Sequence, residues 1–242
     1  MISIAEKIAQ TIKDMPEDVI FGYDRLSIGR EEFASAAKAL ERLQKKGVVN
    51  RVSKGRFYKP KMTVFGWKRP NESELLKPYL YQKGQRIAYI TGTRLYNQLG
   101  LTTQVSFDIQ IASRFRRNLS GISFMEVRSV KSYADVSEDN YQMLGFLDAM
   151  KDLKQIPDLD MRSALTIFKT RIKALSSERQ SQMITYALLY PPRVRAILGA
   201  ILEYIQSNVD LNPLKESLNP FTKFAPGFNN ALLKTASNWN IQ

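Results

Sequence analysis

"EEFASAAKALERLQKKGVVNRVSKGRFYKP" runs from Glu31 to Pro60. In its first half Phe33, Ala36, Ala37, Leu40 and Leu43 recur at the i, i+3, i+4, i+7 spacing of a helix with one buried face. The spacing predicts a helix from Arg30 to Lys46, and Gly47 stands where a left-handed residue would stop it. Val48, Val49 and Val52 then begin a strand, Ser53-Lys54-Gly55 supplies turn residues, and Arg56-Phe57-Tyr58 returns as a second strand. From Arg42 to Pro60 there are seven basic residues, Arg42, Lys45, Lys46, Arg51, Lys54, Arg56 and Lys59, and no acid.

Upstream, Ser3 and Glu6 have capping-box spacing, and Ile2, Ile4, Ile8 and Ile12 give an apolar face, so a first helix is expected from Ser3 to Lys13, ended by Pro16. "VIFGYD" (Val19 to Asp24) predicts a strand and "DRLSI" (Asp24 to Ile28) one or two helical turns. Helix, strand, short helix, helix and hairpin is the order of a winged helix-turn-helix, expected over residues 1–68. Its third helix would enter a major groove, which is wide enough for one, and its hairpin would ride the neighbouring phosphates. On this reading Arg30, Ser35, Lys38, Arg42, Lys45, Arg51, Lys54, Arg56 and Lys59 are the DNA-binding residues, with Arg30, Ser35 and Lys38 as candidates for base readout. Glu31 and Glu32, near the helix N-terminus, are expected to serve the cap, or at most to contact cytosine, rather than face phosphate.

The whole chain agrees with a polyanionic partner. It has 242 residues and a formal net charge of +13, and residues 1–70 hold 15 bases against 8 acids. More than half of the excess thus lies in less than a third of the chain, and each phosphate neutralised adds a salt-dependent increment to affinity. There is no cysteine and no histidine. Disulfides, thiolate or histidine-ligated metal sites and Ser-His or Cys-His nucleophiles are therefore excluded, and no cofactor is expected. The N-terminus reads as an amphipathic helix rather than a signal peptide, and no apolar run approaches a bilayer span, so a cytoplasmic protein without a membrane partner is expected.

"GWKRPNESE" (Gly66 to Glu74) reads as a linker, with a second domain over 75–242. That domain should be a mixed one, with a small, mostly antiparallel sheet followed by a helical half, making the chain α+β overall. "QRIAYITGTRLYNQLGLTTQ" (Gln85 to Gln104) predicts a strand, a tight turn at Gly92, a helix from Arg94 to Leu99 and a stop at Gly100. "VSFDIQIA" (Val105 to Ala112) alternates, with Val105, Phe107, Ile109 and Ile111 on one face, as does "ISFMEVRSV" (Ile122 to Val130), and the two are expected to form an antiparallel hairpin or meander. Four helices follow, started by Ser137, Asp160, Ser176 or Ser177, and Pro192, with Tyr141, Phe146, Phe168, Tyr186 and Tyr190 at core spacing. The tail from Leu214 should be ordered but irregular. "RFRRN" (Arg114 to Asn118) offers Arg114, Arg116 and Arg117 as a second basic surface, for nucleic acid or an acidic partner, or as a solvated loop.

The stretches "SIAEKIAQTI" and "LSIGREEFASAAKALERLQKKGVVNRVSKGRFYKPK" resemble the N-terminal domain of AbiEi-type antitoxins of bacterial type IV toxin–antitoxin (abortive infection) systems. The resemblance is closest to members that pair a winged helix with an antitoxin-like domain, and "ITGTRLYNQLGLTTQ", "YPPRVRAILGAILE" and "LKESLNPFTKF" extend it over nearly the full chain. It implies an autorepressor that binds double-stranded DNA at its own promoter, as a monomer or homodimer, and counters a nucleotidyltransferase-like toxin without a necessarily stable complex. Two other functions fit the residues. One is a transcription factor whose second domain senses a ligand or partner. The other is a metal-dependent nuclease using Asp108, Glu126 and Arg128, although arginine is a poor substitute for the lysine of such sites. The plainer reading of those three is cross-strand charge pairing, and a non-enzyme is expected. "TGTR" (Thr91 to Arg94) lacks the glycines and Lys-Ser/Thr of a phosphate loop.

Overall fold

The computed structural model describes residues 3–64, 66–68, 70–115 and 126–242. They divide into two compact units, one up to Leu80 and one from Tyr81 onward.

In the first unit, helix α1 (Ile4–Asp14) opens on the expected capping box: the Ser3 hydroxyl accepts from the Glu6 amide and the Glu6 carboxylate accepts from the Ser3 amide. Strand β1 (Ile20–Gly22) follows, then a single 3-10 turn at Tyr23–Arg25 where one or two helical turns were expected. A second 3-10 turn, Arg30–Glu32, winds into α2 (Phe33–Lys45). Gly47 leaves the helix at φ +72°, and the Val48 amide returns to the Leu43 carbonyl, which completes the stop. Strands β2 (Asn50–Ser53) and β3 (Arg56–Tyr58) form the expected hairpin around Lys54-Gly55, with Gly55 at φ +72°. β1 pairs with the far side of β3, giving the antiparallel order β1-β3-β2.

The core of this unit sets Ile8 and Ile12 of α1 against Ala36, Ala39 and Leu40 of α2, closed by Phe21, Leu26, Val49 and Phe57. Phe33 departs from the expected face. It is 49% exposed and lies on the Tyr23 ring, centroids 4.3 Å apart, rather than in the core between the two helices. The stretch expected to be a linker is structured: β4 (Lys61–Thr63) pairs with β5 (Gly66–Lys68), and α3 (Glu72–Leu80) follows. Leu75 of α3 packs with Ile20, Val52 and Tyr58 of the β1-β3-β2 sheet, which keeps α3 in the first unit and moves the boundary to Leu80.

The second unit begins with a short ribbon, β6 (Tyr81–Gln82) and β7 (Gln85–Arg86). β8 (Ala88–Thr91), the Gly92 turn and α4 (Thr93–Leu99) follow as expected, with the helix stopped at Gly100 in the left-handed region. Then come β9 (Asp108–Ser113) and β10 (Glu126–Lys131). β9 pairs antiparallel with β8 but parallel with β10, so the expected antiparallel hairpin is corrected to a parallel pair in a mixed sheet of order β10-β9-β8. A parallel return needs a crossover of about a dozen residues, which residues 114–125 supply in number. Ile109 and Ile111 are buried as predicted, whereas Val105 and Phe107 precede the strand and are exposed. Ile122 to Met125 lie outside the described residues. Among the described residues the other strand pairings, in all four sheets, are antiparallel.

The helical half is α5 (Tyr141–Lys151), α6 (Met161–Lys173), α7 (Ser177–Ala187), α8 (Pro192–Tyr204) and the short α9 (Asn212–Glu216). Asp160 and Ser176 cap α6 and α7 through their side chains and Pro192 opens α8, as expected, whereas α5 starts at Tyr141, four residues after Ser137, with Asn140 at its N-cap position. Of the aromatic residues assigned to the core, Phe146, Phe168 and Tyr190 are buried and Tyr141 and Tyr186 half-buried. Among the described residues no helix is long and apolar enough to cross a membrane.

The tail is irregular and packed. Phe224 exchanges backbone hydrogen bonds with Asn240 and Gln242, and Phe228, Leu233, Ala236 and Trp239 are buried. The Trp239 ring lies on Gly199, in the middle of α8, where a Cβ would fall 2.1 Å from ring carbon Cζ3. An interior helical glycine costs about 1 kcal/mol relative to alanine; here it makes room for the ring. Gly199→Ala is therefore expected to destabilise the second unit by about 1–3 kcal/mol, the usual range for overpacking. Thermal unfolding followed by tryptophan fluorescence measures this. An unchanged or raised midpoint would contradict the packing described.

Candidate nucleic-acid interface and a buried carboxylate

One side of α2 is closed by Ala36, Ala39 and Leu40, so the other side is fixed outward. Ser35, Lys38, Arg42 and Lys45 are all exposed along it, and Arg30 is exposed in the turn that leads into it. Glu32 accepts from the Gly29 amide at 2.7 Å and so serves the helix start, as expected. The basic residues then separate by what holds them. Lys45 pairs with Glu41 at 2.9 Å, an exposed i, i+4 pair. Arg51 donates from Nε to the Ser53 carbonyl at 3.2 Å. Lys59 donates from Nζ to the carbonyls of Lys13 and Met15, at 2.8 and 3.2 Å. It thereby caps the C-terminus of α1 and ties it to the end of the hairpin, so this half-buried lysine is engaged by the fold. Arg30, Lys38, Arg42, Lys54 and Arg56 make no ion pair among the described residues. They belong to α2, its leading turn and the hairpin after it, elements joined by only the four residues 46–49.

The other sequence candidates lie in the second unit. Arg114 donates to the Tyr133 carbonyl at 3.1 Å and lies 3.7 Å from Asp135, in an open groove also lined by Ser137, Asn140, Tyr186 and Leu189. Arg116 and Arg117 lie outside the described residues. Asp108 and Glu126 are register partners across β9 and β10. Arg128 reaches both, at 3.4 Å and 2.8 Å, so the two acids share one guanidinium in an exposed charge pairing. Among the described residues no three side chains of metal-binding type cluster.

A polar network that the periodicity concealed lies in the core of this unit. Asp148, on α5, is buried in the apolar run "MLGFLDAM". Its Oδ2 accepts from the Tyr89 and Thr91 hydroxyls of β8, each at 2.8 Å, and its Oδ1 from the Tyr190 hydroxyl at 3.1 Å. One turn on, Asp152 accepts from the Tyr96 hydroxyl of α4 at 2.6 Å and pairs with Lys151 at 2.8 Å. Burial raises the Asp148 carboxyl above its ordinary range, against the lowering effect of its three hydroxyl donors and Lys151. Burial beside these acids also pushes the Tyr89, Tyr96 and Tyr190 hydroxyls up, so they remain protonated donors. The network locks β8, α4, α5 and the start of α8 together. An aspartate centred in an apolar helix was its only sequence signal.

Residues 7–114 match a family model described as "Family of unknown function (DUF6088)". The match takes in α2 and its hairpin and continues through β9, but it covers less than half of the chain. No curated protein matches. A solved structure, the RV2827C protein from Mycobacterium tuberculosis, is similar at 12% identity and a TM-score of 0.41, over 94% of this chain and 87% of that one. At that distance it lends nothing to the assignment of either unit.

A carboxyl whose pKa is raised by folding adds stability below its ordinary value of 3.8, and that contribution is lost as the pH rises through the raised value. Asp148→Asn removes the titration. The advantage of the wild type over this variant in urea unfolding is expected to shrink as the pH rises above the ordinary carboxyl value of 3.8. A gap independent of pH would show that burial does not dominate at Asp148. Asp148→Ala, which strands the buried Tyr89 and Thr91 hydroxyls while Tyr190 keeps the Leu144 carbonyl, is expected to cost roughly 2 kcal/mol or more.

Proposed function

We propose that the first unit is a winged helix that binds double-stranded DNA, and that the chain represses its own promoter as the antitoxin of a type IV toxin–antitoxin operon. The observation that carries the DNA reading is the exposed row Ser35, Lys38 and Arg42 on α2, followed within one short connection by Lys54 and Arg56 on the β2–β3 hairpin. The element order and the sheet order β1-β3-β2 support the winged-helix reading. So does Lys59, which fixes the hairpin to α1 and thereby holds it against the helix pair. Arg30, Ser35, Lys38 and Arg42 take the groove, and Lys54 and Arg56 take phosphates. The antitoxin role, and the nucleotidyltransferase-like toxin it implies, rest on the resemblance of sequence stretches in both units. In this reading the protein is not an enzyme, and it works in the cytoplasm, where its promoter is.

The test is a mobility-shift titration with the duplex upstream of its own gene and a scrambled duplex, over a range of salt. Lys54→Ala and Arg56→Ala are expected to weaken both duplexes alike, each reducing the slope of log affinity against log salt by about one. Lys38→Ala is expected to change the preference between them. If neither duplex shifts, or if all three variants bind as the wild type does, the DNA assignment fails. Deleting the neighbouring gene tests the antitoxin half: an antitoxin becomes dispensable without its toxin, whereas a sensor-regulator does not.

A further inference from the structure

The β4–β5 hairpin carries an exposed apolar patch that the DNA reading leaves unused. Met62 and Trp67 are directly opposed across the two strands and therefore share one face, 60% and 55% exposed. Val64, beyond the end of β4, is 93% exposed. Lys61 and Lys68 are also cross-strand partners, one position along, so alternation puts them on the opposite face. That face is held down: Lys68 pairs with Asp18 at 2.8 Å and Lys61 lies 3.9 Å from Glu17. Anchoring through the lysines turns the Met62/Trp67 face outward.

We propose that this face is the self-association surface of the protein, covered by the same hairpin of a second copy. Three features favour a copy over other occupants. First, charge: Lys61 and Lys68 of the hairpin are matched by Glu17 and Asp18, so these two lysines add no net charge to a strongly basic unit. Screening over about 8–10 Å makes local charge count for more than net charge at contact. Matching removes the repulsion between these lysines of two copies and weakens their pull on DNA or an acidic partner. Second, among the described residues the sheet has two strands, each paired on one side, so each offers an outer edge to a further strand. A twofold axis lets identical edges and identical apolar faces meet. Third, size: the hairpin is eight residues long, whereas a stable interface takes roughly 20–30 residues a side. The pairing is accordingly weak, with Kd on the order of 10–100 μM, and is favoured when DNA half-sites hold two copies close.

Sedimentation equilibrium of the full chain without DNA tests this, together with tryptophan emission. Of the two tryptophans, Trp239 is buried, so Trp67 is the reporter. With rising concentration the mass is expected to approach that of a dimer and the emission to shift to the blue. Met62→Asp should keep the protein monomeric at unchanged far-UV circular dichroism, whereas Lys54→Ala should dimerise like the wild type. Trp67→Phe should abolish the emission shift while mass still rises. A monomer at every concentration, or a dimer indifferent to Met62→Asp, overturns the proposal. So does a strictly monomeric protein whose Trp67 emission responds only to duplex DNA, which would make the hairpin a nucleic-acid wedge. A chain that dimerises in this way but shifts no duplex keeps this inference and loses the DNA reading.

Discussion

The first unit depends on one helix pair, and that pair depends on side-chain size. Ile8 and Ile12 of α1 meet Ala36 and Ala39 of α2, and alanine at these positions lets the backbones approach closely. The contact uses Ala36, Ala39 and Leu40 of α2, with Leu43 partly buried beside them. Every polar residue of the helix is then directed away from the core with no further choice of rotation. Ser35, Lys38 and Arg42 are exposed because the other side of the helix is committed, and the β2–β3 hairpin is positioned because Gly47 ends that same helix.

Much of this was legible in the sequence. The capping box at Ser3 and Glu6, the stop at Gly47 and the turn at Lys54-Gly55 are local devices, set by neighbours within a few residues, and the structure has each where the sequence puts it. Features that depend on distant partners were not legible. Phe33 fits the apolar periodicity of α2 but packs on the Tyr23 ring and stays half exposed, which periodicity does not measure. Val105 and Phe107 continue the alternation of β9 but precede its first pairing. The direction of β10 relative to β9 is a property of the connection, and alternation reads the same for parallel and antiparallel strands.

The candidate site shows the same division. Composition locates the basic cluster between Arg42 and Lys61 but does not distinguish a cation that holds the fold from one that faces solvent. Lys59 and Lys54 are equivalent in sequence terms. In the folded chain one caps α1 through two carbonyls, and the other stands exposed at the hairpin turn with no ion pair among the described residues. Asp108, Glu126 and Arg128 resemble a catalytic set in sequence, yet they form a carboxylate–guanidinium cluster on an exposed sheet face, where such pairs contribute at most about 1 kcal/mol.

The two units handle charge in opposite ways, and the contrast bears on what each can do. In the second unit a carboxylate is buried and surrounded by hydroxyl donors from separate elements. Such an arrangement is costly unless every partner is present, so it holds one arrangement of β8, α5 and the segment leading into α8 against alternatives. In the first unit the charges lie outside, and five cations of α2, its leading turn and its hairpin have no acidic partner among the described residues. Unpaired like charges on neighbouring elements repel one another and weaken the free fold slightly. An anion that meets all of them relieves that repulsion on binding. Duplex DNA is such an anion, with a phosphate about every 1.7 Å along its axis. The β4–β5 hairpin, whose lysines are already matched by Glu17 and Asp18, gains nothing from the same anion. This separates a surface suited to phosphate from one suited to a neutral, apolar partner within a single unit.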